Sequence, residues 1–317
     1  MKNSLDLPVL PAARWISWRD VLIAAAVSVT YLVVSALLIG FKTDQLFLVL
    51  IFDTLYLASR ITRKFILGFS VFIVFWILYD YMKAFPNYVY NAVHIQDLYE
   101  AERGIFGLVQ DGKRVTPNEY FQLHSAAWAD VLAGFFYLCW IPVPLGFAAY
   151  LFFKDRPRFL QFLLTFLLVN LLGFVVYYLY PAAPPWYVQL HGFDFIAGTR
   201  GNTAGLIRFD QFFGVTIFQS LYQKGSNVFA AMPSLHSAYP LIVFYTAWKA
   251  RLRAGTVVFG IITVGIWFAA VYTSHHYILD VLAGIATAAA GITLFQQLLQ
   301  KQPYFRSFVQ RYTQLIS

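Results

Sequence analysis

Cysteine and charge are both scarce in this chain of 317 residues, and each scarcity closes off a class of function. There is one cysteine, Cys139. A lone thiol in an apolar run excludes an intrachain disulfide and a cysteine metal cluster. Only 12% of the residues are charged, 15 acidic against 23 basic. The net charge of +8 is scattered among apolar runs, which argues against nucleic acid as a partner. No internal repeat or low-complexity tract is present. No cleavable leader is expected either. The first apolar run, 21–40, is too long for the apolar core of a signal peptide and lacks a small-residue cleavage site, so it reads as a retained helix.

What is present is apolar surface. The chain is 60% hydrophobic and 19% aromatic, with a mean hydropathy of +0.62. A soluble domain of this length could not bury so much, so the sequence predicts an all-α, polytopic membrane helical bundle. About eight spans are expected, over 20–40, 45–59, 65–82, 129–152, 159–180, 230–248, 255–273 and 277–298. The second is short and carries Asp53. Loop charge tests it. The N-terminal segment has Lys2, Arg14 and Arg19, and the first loop only Lys42. The second loop has Arg60, Arg63 and Lys64, the fourth Lys154, Arg156 and Arg158, and the sixth Lys249, Arg251 and Arg253. The seventh has no Lys or Arg, and the tail has Lys301, Arg306 and Arg311. Alternate connections are basic only if all eight segments cross with both termini cytoplasmic. The long loops 83–128 and 181–229 and the His275/His276 connection then share the outer or lumenal face. Three parts are expected: N-terminal transmembrane helices over 1–82, a catalytic membrane domain over 83–298 and a cytoplasmic tail over 299–317. Short termini and compact length suggest a bacterial inner membrane.

Within the long loops, residues 95–106 mix apolar and charged positions as an interfacial helix does. Thr116-Pro117-Asn118-Glu119 has the form of a capped helix start. The run Tyr180-Pro181-Ala182-Ala183-Pro184-Pro185 ends the fifth span, and Trp186 and Tyr187 suit the headgroup level.

Two stretches carry candidate chemistry. In Tyr272-Thr273-Ser274-His275-His276-Tyr277-Ile278-Leu279-Asp280, His276 and Asp280 are four apart, so on a helix they share a face. A carboxylate so placed holds an imidazole in one tautomer and stabilises its charged form. His275 would then lie about 100° around the helix, facing substrate or a supporting partner. In Ala231-Met232-Pro233-Ser234-Leu235-His236-Ser237, Pro233 suits the first helical position. A helix start there offers backbone N–H groups, the hydroxyls of Ser234 and Ser237, and the His236 acid to an anion. The plainer alternatives are an interfacial polar cluster capping a helix and an ordinary Pro/Ser helix start with an incidental histidine. Taken together, the two stretches fit covalent phosphoryl transfer: His276, paired with Asp280, as nucleophile and His236 as acid. The transferred charge needs a cation. Arg208 in Ala204-Gly205-Leu206-Ile207-Arg208-Phe209-Asp210 is the leading candidate, with Arg200 and Lys224 behind it. His94, His124 and His191 have no paired spacing and read as structural or interfacial.

On these residues the chain resembles the membrane-bound type 2 phosphatidic acid phosphatase superfamily, and within it the inositol phosphorylceramide synthases. The Ala231–Ser237 stretch is similar to that branch's second motif, and the Ser274–Asp280 stretch to its third. The segments at 180–185 and 204–210 are also similar to segments of the branch. The resemblance covers roughly 90–290. Where the wider family has a Ser-Arg pair before its nucleophilic histidine, this chain has Ala269 and Ala270. The first motif has no good match, since Lys154-Asp155-Arg156-Pro157 is too tightly spaced and falls on the cytoplasmic side. The resemblance implies a six-helix phosphatase-like core and no cofactor or metal. It also implies transfer of a phosphoinositol headgroup from phosphatidylinositol to ceramide through a phosphohistidine, with diacylglycerol released. Its catalytic residues would be His236, His276 and Asp280, and its substrate-binding residues Arg208, Ser234, Ser237 and His275. Three rivals stand beside it: a lipid phosphatase of the same fold using water, a membrane metalloenzyme using His236, His275, His276 and Asp280 as ligands, and a transporter, for which Asp53 and Asp130 are few polar groups.

Overall fold

Inside a bilayer, backbone polar groups must find partners within the chain, so long apolar runs become helices. The computed structural model describes residues 16–223 and 227–317. Lys2, Arg14 and Lys224 lie outside the described residues. The chain divides into two compact units, Met1–Phe69 and Ser70–Ser317.

In the first unit, α1 (Trp18–Ile39) starts at a reciprocal cap. The Asp20 amide donates to Ser17 Oγ, and the Ser17 amide donates to the Asp20 carboxylate. α2 (Thr43–Ala58) packs along α1. Asp53 within α2 accepts a hydrogen bond from Ser28 Oγ at 2.9 Å, so its carboxylate has a polar partner among apolar side chains. α3 (Arg60–Tyr81), whose residues from Ser70 on belong to the second unit, begins five residues before the expected span because Ser59 and Thr62 cap it, which puts Arg60, Arg63 and Lys64 on the helix instead of in a loop.

In the second unit, α4 (Gln96–Phe106) leads into a hairpin of β1 (Leu108–Gln110) and β2 (Lys113–Val115), paired antiparallel. Asp111 and Gly112 both take positive φ at its turn, as a two-residue Asp-Gly hairpin requires. α5 (Pro117–Leu123) starts as the sequence predicts, with Thr116 as cap, Pro117 at the first position and Glu119 completing the box. α6 (Ala127–Leu138) and α7 (Pro142–Lys154) bend by 41° at their junction, where Pro142 and Pro144 cannot donate. α8 (Arg156–Leu179) is capped by Asp155, whose side chain accepts from the Arg158 amide. It ends before the proline run, as expected. The short helices α9 (Pro185–His191), α10 (Ile207–Phe213) and α11 (Ile217–Gln223) belong to the second long loop. Then come α12 (Leu235–Lys249), α13 (Arg253–Tyr272), α14 (Ile278–Lys301) and α15 (Pro303–Ile316).

Every expected span has its helix, but not every helix has full spanning length. Five described helices are long and apolar enough to cross a bilayer, or six if the bent α6–α7 pair counts as one span. α2 and α12, at 16 and 15 residues, fall short of the roughly 20 that a span needs. α12 is short because Ser234, not a residue near 230, caps it. It packs against α8, α13 and α14 at the centre of the unit. Pro240 interrupts its hydrogen-bond ladder, and the nearby Ser237 carbonyl accepts from Trp267 Nε1 at 3.0 Å. Trp186 and Tyr187 are buried with Ile95, Ala183 and Phe229, because the second loop folds back onto the first.

Candidate active site

The two predicted stretches meet at the ends of α12 and α14. The Ser234 amide donates to the Asp280 carbonyl at 2.9 Å. The approach is possible because residue 284 is glycine: a Cβ there would lie 2.2 Å from the Ser234 carbonyl oxygen. Ser234 is the helix cap, so Pro233 sits one residue before the cap and not at the first helical position expected of it. Both serines are fully buried. The Ser237 amide donates to Ser234 Oγ at 3.3 Å, and the two hydroxyls are 3.0 Å apart. The cap therefore engages hydroxyls that the sequence reading reserved for an anion.

His276 is not on a helix. It occupies the turn between α13 and α14, and Ser274 takes φ 60 there. The amides of His275 and His276 both donate to the Ala270 carbonyl at 3.0 Å, closing off α13. The pairing with Asp280 survives by a different route. Asp280 lies in the first turn of α14 and accepts from the Tyr277 amide at 2.9 Å. The same oxygen, Oδ2, is 3.5 Å from His276 Nδ1, an ion-pair distance outside hydrogen-bond geometry. The Ala231 carbonyl faces the same imidazole. With the Asp280 carboxylate on its side, Nδ1 is assigned the proton, which leaves the lone pair on Nε2.

That lone pair points at His236. His236 Nδ1 is 3.0 Å from His276 Nε2 and 3.2 Å from the Tyr137 hydroxyl, while Trp140 packs edge-on to the His236 ring. Burial lowers the pKa of His276 to about 4, so its imidazole is neutral near pH 7. His275 is held well below the ordinary histidine range by burial and then by its two histidine neighbours. Its Nδ1 is 3.0 Å from Thr273 Oγ1, and its ring lies between Tyr137 and Tyr222. The 100° helical placement expected for it does not apply, because the turn is not helical.

Arg208 reaches this turn through backbone contacts. The Gly205 amide donates to the Thr273 carbonyl at 2.9 Å, and a Cβ on Gly205 would meet Thr273 Cα and the Arg208 guanidinium. Arg208 Nε donates to Asp130 Oδ1 at 2.6 Å, and the Tyr272 hydroxyl donates to the same oxygen at 2.9 Å. One terminal nitrogen of Arg208 is buried without a hydrogen-bond partner. Arg200 is exposed on the loop surface. His94 stacks on Tyr180, His124 on Tyr120, and His191 lies against Tyr187. Among the described residues, no three His, Cys, Asp or Glu side chains are grouped as metal ligands.

No sequence pattern marks Tyr137 and Asp130 as partners of His236 and Arg208, or gives Glu102 and Asn118 a place at the site. Glu102 carries a signal for burial only. It lies four residues after Leu98, on the face of α4 that turns inward, and both are buried.

Comparison with known proteins identifies the family. The sequence model described as the PAP2 superfamily matches residues 116–294, a segment that holds His236, His275, His276, Asp280 and Arg208. The chain is 44% identical over 302 residues to a phosphoinositol dihydroceramide synthase of Bacteroides thetaiotaomicron, covering 95% of this chain and 99% of that protein. It is 32% identical over 170 residues to the inositol phosphorylceramide synthase of Candida albicans, covering 50% of this chain and 35% of the relative. It is 31% identical over 119 residues to the catalytic subunit of the Saccharomyces cerevisiae inositol phosphorylceramide synthase, covering 37% and 29%. No solved structure matches the chain. With more than half its length matched by one family and a near full-length relative beside it, the chain belongs to the PAP2 superfamily.

Proposed function

We propose that this protein is a membrane phosphotransferase that moves the phosphoinositol headgroup of phosphatidylinositol to the primary hydroxyl of ceramide or dihydroceramide and releases diacylglycerol. The observation that carries the reading is the line Asp280–His276–His236: carboxylate behind Nδ1, lone pair on Nε2, second imidazole 3.0 Å ahead. The near full-length bacterial relative named for phosphoinositol dihydroceramide synthesis supports the choice of donor and acceptor.

In the first half-reaction, His276 Nε2 attacks phosphorus and the bond from phosphorus to the diacylglycerol oxygen breaks. Protonated His236 gives that oxygen its proton. In the second, His236 takes the proton of the acceptor hydroxyl, whose oxygen attacks phosphorus as the P–N bond breaks, regenerating both histidines. A phosphorus on Nε2 needs the space that His236 Nδ1 occupies, so the two imidazoles part as the donor enters. Asp280 stabilises the imidazolium character that develops on His276. Arg208, fixed through Nε by Asp130, turns its unpartnered nitrogen to a phosphate oxygen. It takes over the role of the cation that Ala269 and Ala270 cannot supply. A phosphodiester donor carries one negative charge, which one guanidinium can match. Ser234 and Ser237 hold the cap that brings the His236 end of α12 to Asp280, and His275 lines the turn.

We read the acceptor as a lipid alcohol and not water, a choice supported by the near full-length relative named for dihydroceramide as its acceptor. The catalytic machinery lies within 83–298, with helices of 1–82 before it and a cytoplasmic tail after it. We read the site as lying on the periplasmic face of a bacterial inner membrane with both termini cytoplasmic, an orientation that the alternation of loop charge supports. Purified enzyme given phosphatidylinositol and dihydroceramide tests this by mass spectrometry. Inositol phosphoryl-dihydroceramide and diacylglycerol formed together are expected. Free inositol phosphate formed equally with and without acceptor would make the protein a hydrolase.

A further inference from the structure

Two buried polar side chains from the first long loop grip the turn that bears His276, and neither has a part in the chemistry above. Asn118, on α5, is fully buried. Its Nδ2 donates to the Val271 carbonyl at 2.8 Å and to the carbonyl of His276 itself at 2.9 Å. One side chain thus ties the last turn of α13 to the candidate nucleophile across the residue with φ 60, Ser274. Its Oδ1 has no hydrogen-bond partner, so the amide acts there purely as a double donor.

Glu102, on α4, is also fully buried. Its two carboxylate oxygens accept from the amides of Ile278 and Leu279 at 3.0 and 3.1 Å. The first amides of a helix need acceptors, and these usually come from a nearby Ser, Thr, Asp or Asn. Here the cap position is Tyr277. Asp280 takes the Tyr277 amide, and Glu102, far away in sequence, takes the next two. The division matters because the Asp280 oxygen that accepts from Tyr277 is the one facing His276 Nδ1. Without Glu102, the amides of Ile278 and Leu279 would be left without acceptors directly behind the turn, and the helix start that carries Asp280 would lose its anchor.

We propose that Glu102 and Asn118 are positioning residues for headgroup transfer, clamping the 271–279 turn from the outer loop so that His276 Nε2 faces phosphorus and Asp280 stays behind Nδ1. The inference rests on the function proposed above. A catalytic group misplaced by about an ångström loses about 100-fold in rate, which sets the size of the effect.

The test uses the full-length purified enzyme and its Glu102→Gln, Glu102→Ala, Asn118→Ala and Asn118→Asp variants. Each is assayed across donor and acceptor concentrations, and its folded fraction is measured by size exclusion and thermal unfolding. Glu102→Gln keeps the size of the side chain but sets a donor against one of the two amides. Asn118→Asp keeps the shape but points carboxylate oxygens at two carbonyls. The clamp predicts kcat lower by ~10- to 100-fold in folded protein with KM for both lipids within about two-fold, and Asn118→Asp worse than Asn118→Ala. Folded variants with wild-type kcat would overturn it. So would activity that merely tracks the folded fraction. Wild-type protein that makes no transfer product would sink the functional reading and not the clamp. The clamp is read separately from modification of His276 by diethyl pyrocarbonate, which is faster in the variants if they free the turn and unchanged if it was never held.

Discussion

His276 shows its two ring nitrogens to different worlds, a carboxylate on one side and a second imidazole on the other, and this asymmetry divides the labour. Replacing His276 with Ala should lower transfer by about 10⁴-fold or more, because nothing else stands in line with His236. Arg208→Ala should cost roughly 10²- to 10³-fold in kcat, the scale for one preorganised charge donor. Both are read from product formation by protein that still purifies from the membrane. The pH profile separates two groups. His276, with a pKa near 4, stays neutral and nucleophilic down to about pH 5. It adds stability that is present above the ordinary histidine pKa and is lost as pH falls towards 4. Glu102 is pushed up to about 7, chiefly by burial and further by the nearby Asp280 charge. Its sign is opposite: the stability it adds is present below the ordinary carboxylate pKa and is lost as pH rises through 7. Ionised Glu102 accepts from both amides and protonated Glu102 does not, so kcat should fall as pH drops through about 7. Asp280 acts on this group directly, and Tyr277 at the start of α14 interacts with Glu102, with Tyr99 from α4 and with Glu119 from α5. Glu102→Gln should start low and show no such limb. A limb of the same midpoint in that variant would assign the titration to another of these groups.

The site is an agreement between elements, and the sequence shows some of them far better than others. Apolar runs announce α1, α8, α13 and α14, and Thr116 with Glu119 announces α5, because local chemistry decides those. His276 beside Asp280 was legible from spacing for the wrong reason: the turn is not helical, yet a helix start at Ile278 brings the carboxylate back to the same ring. What no local pattern reveals is contact across the chain. Trp186 and Tyr187 have the composition of an interfacial belt and are buried by the fold of the second loop onto the first. Glu102 and Asn118 reach residues more than 150 positions away. The approach of α12 to α14 depends on Gly284 in the same way. Adding one methyl, Gly284→Ala, would press Cβ to 2.2 Å from the Ser234 carbonyl and force the two helix starts apart. A forced overpacking of this kind costs about 1–3 kcal/mol. Transfer should fall by at least the amount seen for Arg208→Ala while thermal unfolding moves only modestly. Wild-type turnover in Gly284→Ala would show that the close approach does not set the His236–His276 geometry.

At the scale of the whole molecule, alternating loop charge predicts that the catalytic turn faces outside and both ends of the chain face inside. A chain with a single cysteine makes the check simple. In a Cys139→Ser background, Val109→Cys on the exposed β1–β2 hairpin should react with an impermeant maleimide in intact cells, and Arg251→Cys only after permeabilisation. The reverse pattern would invert the topology. Membership of the PAP2 superfamily and the long match to a phosphoinositol dihydroceramide synthase set the chemistry that this architecture serves. Within that chemistry, the proposed role of His276 is to carry the headgroup between two lipids. The most direct measurement is a rapid quench of the enzyme with phosphatidylinositol alone, followed by mass spectrometry of the lipid products and of the peptide spanning His276. The account predicts a burst of one diacylglycerol per enzyme, a phosphoinositol adduct on His276, and loss of that adduct when dihydroceramide is added. Full transfer in the presence of dihydroceramide, with neither burst nor adduct in its absence, would contradict it and make the transfer direct.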